Sequence, residues 1–101
     1  MTSPPTADFL RIAKALADPQ RQELLEKIAR VGEMSCSALV GMCPVSQATV
    51  SHHLKELVNA GLVERRKDGQ FGYYRFVKAK LAAYTEELTR RMGIPSTNAE
   101  I

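Results

Sequence analysis

The side chains best placed to do chemistry in this 101-residue chain lie in one short segment, VSQATVSHHLKELVNAGLV, from Val45 to Val63. Apolar residues recur there at helical spacing and form a stripe along one side: Val50, Leu54, Leu57 and Val58. The opposite side is polar and carries no acidic residue: Gln47, Ala48, Ser51, His52 and Lys55. A helix that offers amide, hydroxyl, imidazole and ammonium groups on one side suits the major groove of DNA.

Both ends of this predicted helix carry recognisable signals. Ser46 is a suitable N-cap because its hydroxyl can accept a hydrogen bond from an amide of the first turn. Val45 and Val50 have the spacing of a hydrophobic staple across that cap. Gly61 is free to adopt a positive φ, so the helix is predicted to end just before it.

Three more helices are predicted before this segment. The first runs from Asp8 to Ala17. The second runs from Pro19 to about Val31, with proline at a position where its missing N–H costs nothing. A third, short helix is capped by Ser35 or Ser37, and Gly41 to Val45 forms the turn that follows it. This arrangement is typical of a helix-turn-helix, in which the second helix contacts the bases.

A basic β-hairpin is predicted directly after the helix-turn-helix. Leu62 to Lys67 and Phe71 to Val77 are the two strands, and the pair Asp68-Gly69 between them suits the positive-φ positions of a tight turn. The end of the hairpin carries three cations and an amide: Arg65, Arg66, Lys67 and Gln70. A hairpin of this charge beside a base-contacting helix is typical of a wing that lies along DNA phosphates.

A last helix is predicted from Ala79 to about Met92, where Gly93 and Pro95 stop it. One small core already uses the middle helices and the hairpin, so the apolar sides of the first and last helices predict a dimer with a two-fold axis. The predicted dimer contacts are Phe9, Ile12, Leu16, Leu81, Tyr84, Leu88 and Met92. The domain then spans residues 8–92, between loose tails at 1–7 and 93–101.

Composition limits the class of protein. The chain is 45% hydrophobic and 25% charged, which is typical of a globular domain. Its net charge of +3 is small, so evidence for nucleic acid must come from where the cations lie. No apolar run approaches the ~20 residues that span a bilayer, and the first residues do not resemble a signal peptide. We therefore expect a cytoplasmic protein without a membrane partner, whose two cysteines are reduced.

The chain resembles the ArsR/SmtB-type winged-helix repressors of bacteria over residues 8–92. The matching segments are Leu16–Arg21, Ser46–Leu54, Ala60–Val63 and the glycine-containing wing that ends at Tyr73-Tyr74. The resemblance implies a mainly helical winged helix-turn-helix of order α-α-α-α-β-β-α. It also implies a homodimer, paired through its terminal helices, that binds an imperfect inverted repeat at a double-stranded DNA operator.

Transferred to this sequence, the resemblance makes Gln47, Ala48, Ser51 and His52 the base-contacting residues. Ser46, Thr49 and Lys55 lie nearby, and the wing cations bind phosphates. In such proteins transcription is blocked until a small effector weakens DNA binding. No catalytic set of residues is found, so the chain is not expected to be an enzyme.

The familiar metal sites of the family lack their ligands here. One site uses a Cys-x-Cys pair at the start of the third helix, and those two positions are Ser35 and Ser37. The other site uses Asp, His and Glu on the last helix, which has only Glu86 and Glu87. We therefore expect no metal and no cofactor, and an effector of unknown identity.

Two other interpretations remain open. Cys36 and Cys43 are either small buried side chains, a thiol switch, or ligands for a metalloid. On a continuous helix they would be ~10 Å apart, beyond disulfide reach, unless Gly41 breaks the helix and brings them closer. Alternatively, the winged helix is a protein-interaction module whose polar face and basic wing do not contact DNA.

Overall fold

A computed structural model describes residues 6–95 of the chain. The elements, in chain order, are helices α1 (Thr6–Leu16) and α2 (Pro19–Val31), strand β1 (Glu33–Ser35), helices α3 (Cys36–Gly41) and α4 (Gln47–Asn59), strands β2 (Val63–Asp68) and β3 (Phe71–Phe76), and helix α5 (Lys78–Arg91). The predicted class, mainly helical with a β-hairpin, is confirmed.

Side-chain caps begin both α2 and α4, and the Ser46 cap of α4 is as predicted from the sequence. The Ser46 hydroxyl accepts a hydrogen bond from the Thr49 amide at 3.2 Å and caps α4. The Asp18 carboxylate caps α2 in the same way, accepting from the amides of Gln20 and Arg21 at 2.8 and 3.1 Å. The hydrogen bond from the Arg21 amide is the main cause of a lowered pKa at the Asp18 carboxyl, and the bond from the Gln20 amide lowers this pKa further.

Helix α1 begins at Thr6, two residues before the predicted start, so the predicted N-terminal tail is too long by that much. The Arg91 guanidinium donates to the Thr6 hydroxyl at 3.1 Å, which ties this end of α1 to α5. Most of the remaining predicted tail residues lie outside the described part of the chain.

A third strand, β1, was not predicted. It pairs antiparallel with β3, which also pairs with β2, so the strand order is β1-β3-β2. In β1, Met34 lies opposite Tyr74, which is buried, while Glu33 lies opposite Arg75. The three-residue strand has no periodicity of its own, because its hydrogen-bond partners lie about forty residues later in the chain.

The hairpin turn also differs from its prediction by one residue. Asp68 pairs with Phe71 as the last pair of the ladder, so the loop residues are Gly69 and Gln70 rather than Asp68 and Gly69. Gly69 has φ 63°, and no residue other than glycine has a positive φ in the described chain. Positive φ at the first loop residue alone is the type II′ arrangement, which accepts glutamine at the second position.

The core lies between α1, α2, α3, α4 and the hairpin. Helix α4 supplies Val50, Leu54 and Leu57, each completely buried. Helix α5 contributes only partly buried apolar side chains, Leu81 and Tyr84, at the edge of this cluster. The core therefore fixes the apolar side of α4, and the polar side of this helix must point away from the protein.

Candidate nucleic-acid interface

The predicted base-contacting residues form one exposed face of α4. The side chains of Gln47, Ala48, Ser51, His52 and Lys55 are all exposed, as the spacing predicts. Lys55 has no carboxylate partner among residues 6–95, so its charge is available to a ligand. We call these five residues the reading face.

Ser46 and Thr49 lie beside the reading face but are engaged in the cap. Their hydroxyl oxygens are 3.0 Å apart, and the Ser46 oxygen also accepts from the Thr49 amide. Ser46 remains exposed and Thr49 is half-buried. Their main structural role is to fix the first turn of α4, where the reading face begins.

His53, the neighbour of His52 in the chain, lies on the buried side of α4. It is only 6% exposed and bridges to α2. Its Nδ1 lies 3.3 Å from Nη1 of Arg21, and its Nε2 lies 2.9 Å from the side-chain oxygen of Gln20. Arginine can only donate, so Nδ1 accepts, and Nε2 carries the proton that it donates to Gln20.

Arg21 extends this contact to α1. Its Nε donates to the carbonyl oxygen of Ala15 at 2.9 Å, and its Nη2 donates to that of Lys14 at 3.3 Å. These carbonyls lie in the last turn of α1, where backbone acceptors lack helical partners. One guanidinium therefore joins α1, α2 and α4. The segment Leu16–Arg21 carries part of the family resemblance, but its residue types and spacing alone predict no physical role for Arg21.

The three wing cations differ in their surroundings. Arg66 donates from Nε and Nη2 to the carboxylate of Glu33 on β1, both at 2.9 Å, and its guanidinium carbon lies 4.6 Å from the centre of the Tyr73 ring. The hydrogen bond to Arg66 is the main cause of a lowered pKa at the Glu33 carboxyl. Arg66 is therefore held against the sheet in the unbound protein, and its contact with a DNA phosphate stays a prediction.

Arg65 and Lys67 project from the other face of the hairpin, because side chains alternate along a strand. They share this face with the buried Tyr74. Neither has a carboxylate partner among the described residues. Gly72 leaves room for Arg65: a Cβ at that glycine would lie 3.4 Å from Nη2 of Arg65. Gln70, in the exposed loop, completes the basic end of the wing.

The two cysteines lie in different surroundings. Cys36 lines an open cavity of about 500 Å³ with Gln47 and Phe71, between α3, α4 and the hairpin. Cys43 lines a cavity of about 50 Å³ that also contains His53. Helix α3 ends at Gly41, before Cys43, and in the turn that follows the amides of Met42 and Cys43 donate to the carbonyls of Leu39 and Val40 at 3.2 and 3.3 Å.

The positions of the familiar metal sites have other roles. Ser35 caps α3, and its hydroxyl accepts from the Ala38 amide at 3.1 Å. On α5, the Glu87 carboxylate accepts from Nε of Arg91 at 2.6 Å and also pairs with Arg90. Across residues 6–95 no group of three or more His, Cys, Asp and Glu side chains could hold a metal ion. The residues present do not fit the family's metal sites.

The predicted dimer residues divide into two groups. Ile12 is completely buried and Phe9 is 7% exposed, so both belong mainly to the chain's own core. The centres of the Phe9 and Tyr84 rings are 5.1 Å apart. The Arg91 guanidinium lies 4.2 Å from the centre of the Phe9 ring. Leu16, Leu81, Tyr84 and Leu88 are half-buried. Met92 is 65% exposed, and Leu10, which was not predicted, is 53% exposed.

A model of the family described as "Bacterial regulatory protein, arsR family" matches residues 18–65, which contain the helix-turn-helix and the first half of β2. The arsenical resistance operon repressor of Staphylococcus aureus is 34% identical over 87 residues, which cover 86% of this chain and 79% of that protein. The chain belongs to the ArsR family. This is a family of DNA-binding transcriptional regulators rather than a class of enzymes.

Solved structures resemble this ArsR-family protein along most of its length. An ArsR-like transcriptional regulator from Rhodococcus sp. RHA1 is 33% identical, with a TM-score of 0.76 over 86% of this chain and 80% of its own. The homodimeric winged helix-turn-helix domain of a possible ArsR-family regulator from Mycobacterium bovis, a solution NMR structure, is 26% identical, with a TM-score of 0.70 over 90% of each chain. No helix within residues 6–95 is long and apolar enough to cross a membrane.

Proposed function

We propose that this ArsR-family protein is a transcriptional repressor that binds an inverted-repeat DNA operator as a homodimer. The observation that carries the proposal is the reading face, an exposed and acid-free surface on a helix whose other side places Val50, Leu54 and Leu57 in the core. A surface fixed by the core needs little ordering when it binds, which favours recognition of a defined DNA sequence.

Individual side chains have distinct roles in this proposal. The Gln47 amide suits the N6 and N7 edge of adenine, and the Ser51 hydroxyl can donate or accept at a base. His52 donates to a phosphate or to an acceptor base edge, and Lys55 binds a phosphate. The wing cations Arg65 and Lys67 hold the flanking backbone and fix the register without specifying sequence.

The proposed dimer uses the terminal helices. Apolar side chains that the monomer leaves exposed lie just after the end of α5: Met92 and Ile94. The half-buried Leu16, Leu81, Tyr84 and Leu88 border these helices. The homodimeric Mycobacterium bovis relative supports this pairing. Two-fold symmetry would present two reading faces to the two halves of an operator.

Release from the operator is proposed to depend on a small effector that does not use the usual family metal sites. Serines occupy the cysteine positions at the start of α3, and Glu87 on α5 is already engaged by arginines. A repressor of this kind acts on chromosomal DNA, so we place its action in the cytoplasm.

Selection from a pool of random duplexes tests the proposed function directly. We expect the full chain to enrich an imperfect inverted repeat and to elute as a dimer in size-exclusion chromatography with light scattering. A variant in which the reading face is altered, Gln47→Ala with Ser51→Ala, should fail to enrich it. A folded wild-type protein that enriches no duplex would instead indicate a winged helix used for protein contact, and the proposal would be abandoned.

A further inference from the structure

The lysines and arginines of this protein fall into two groups according to whether a carboxylate lies within 4 Å. On the exposed side of α2, on the hairpin face that carries Arg66 and on most of α5, cations are paired: Lys27, Arg30, Arg66, Arg75, Lys80, Arg90 and Arg91. Arg11 and Lys14 on α1 have no such partner among the described residues, as is true of Arg21, Lys55, Arg65, Lys67 and Lys78. The unpaired cations of α1 thus resemble those of the proposed interface.

Arg11 and Lys14 line a groove beside α4. The groove, of about 510 Å³, lies between α1, α2 and α4 and is also lined by Arg21, Glu56 and Asn59. It therefore contains three cationic side chains and one carboxylate. An open, positively charged groove of this kind attracts an anionic partner.

The groove is continuous with the reading face. Along α4, His52, Lys55 and Asn59 follow one another at spacings of three and four residues, so they form a stripe on one side of the helix. His52 and Lys55 belong to the reading face, while Asn59 lines the groove. A polyanion bound to the reading face would therefore meet the groove at its border.

The position of Lys14 relative to α4 is fixed by hydrogen bonds. Its backbone carbonyl accepts from Arg21, whose guanidinium also contacts the buried His53 of α4. The last turn of α1 is thereby held to the recognition helix through one rigid, planar group. This attachment makes Lys14 part of the same surface as the reading face rather than an independent exposed cation.

We propose that Arg11 and Lys14 form a third phosphate-binding element, which holds the DNA backbone bordering the groove that α4 enters. The wing would hold the backbone on the hairpin side of α4, and α1 would hold it on the opposite side. This inference rests on the proposed function, because it requires that the reading face binds DNA. Its partner is the sugar-phosphate backbone, so it adds affinity without adding sequence preference.

The test compares salt dependence in fluorescence anisotropy, using the duplex selected as above. Each phosphate contact contributes about 0.9 to the slope of log affinity against log salt concentration. The double variant Arg11→Gln with Lys14→Gln loses two phosphate contacts in each protomer and therefore four in the dimer. Its slope of log affinity against log salt concentration should become shallower by about 3.6. Phosphate-ethylation interference should also identify backbone positions at which ethylation weakens DNA binding by the wild type but not by this variant.

Lys27→Gln with Arg30→Gln is the matched control, because it removes the same charge from the α2 surface. Arg30 lies about 14 Å along α2 from Arg21, beyond the Debye length of ~8 Å at physiological salt. The control should keep the wild-type slope. Equal slopes in wild type and the α1 variant, or an equal loss in the control, would overturn this inference alone. Failure of wild type to bind any duplex would instead overturn the proposed function.

Discussion

Helix α4 and the hairpin both carry cations without carboxylate partners. What leaves a cation without a partner differs between the two elements. In α4, the apolar stripe is buried and Lys55 is left exposed on the other side, so helical spacing alone decides its availability. In the hairpin, Arg65 and Arg66 are neighbours of the same residue type, yet only Arg66 is held by Glu33. There, a carboxylate from a third strand decides.

This difference shows that exposure and availability are separate properties. Arg66 has about half of its side-chain surface exposed, and it nevertheless makes two hydrogen bonds and stacks on an aromatic ring. The same contrast applies to the adjacent histidines of α4. His52 is exposed on the reading face, whereas His53 is enclosed and bonded to α2.

The largest expected effect separates these two histidines. His53→Ala leaves the Arg21 donor and the Gln20 acceptor without a partner, so the free energy of unfolding should fall by about 1–3 kcal/mol. His52→Ala should change it by less than about 0.5 kcal/mol while weakening DNA binding. Urea unfolding at fixed protein concentration measures both. Equal stability of the two variants would show that the contact to α2 contributes nothing.

The second prediction concerns the reading face itself. Gln47→Ala should reduce discrimination at one base pair in each half of the operator by about 1–3 kcal/mol, because a two-point contact to adenine is lost. Competition gel shifts with operators altered at single positions measure this. Gln22→Ala, on the exposed side of α2, provides a control that loses an amide outside the reading face. Unchanged sequence preference in Gln47→Ala would contradict its assignment as a base-contacting residue.

The third prediction compares the two wing arginines. Arg65→Ala should make the salt slope of operator binding shallower by about 1.8 for the two contacts of a dimer. Arg66→Ala should change the slope much less, because Glu33 already neutralises Arg66 in the unbound protein. Anisotropy titrations between low and high salt measure both slopes. A larger change for Arg66 than for Arg65 would mean that DNA displaces Glu33 from its partner.

The smallest expected effect is a pH dependence of stability from Glu33. Its pKa is lowered in the folded protein, mainly by the hydrogen bond to Arg66, so the ionised form is favoured by folding. The stabilisation is fully present above about pH 5 and is lost as pH falls through the lowered pKa. The stability difference between wild type and Glu33→Gln should therefore shrink in acid. A difference that grows as pH falls would reverse the sign of this linkage.

Local patterns predicted most of the elements and the reading face. The spacing of Val50, Leu54 and Leu57 gave the buried side of α4, and Ser46 and Gly61 gave its ends, because each of these signals acts within one or two turns. The predicted turn was displaced by one residue. The pair Asp68-Gly69 suits a type I′ loop, but Asp68 instead forms the last pair of the ladder, with Phe71.

The sequence by itself determined which side of α4 is buried and which residues form the exposed reading face, because a helix translates spacing into sides without help from the rest of the chain. Tertiary structure alone decided that Glu33 engages Arg66 and that His53 joins Gln20 and Arg21. Those partners are 32 or 33 residues apart. Contacts at such separations depend on the three-dimensional packing of the elements, and no periodicity in the chain encodes them.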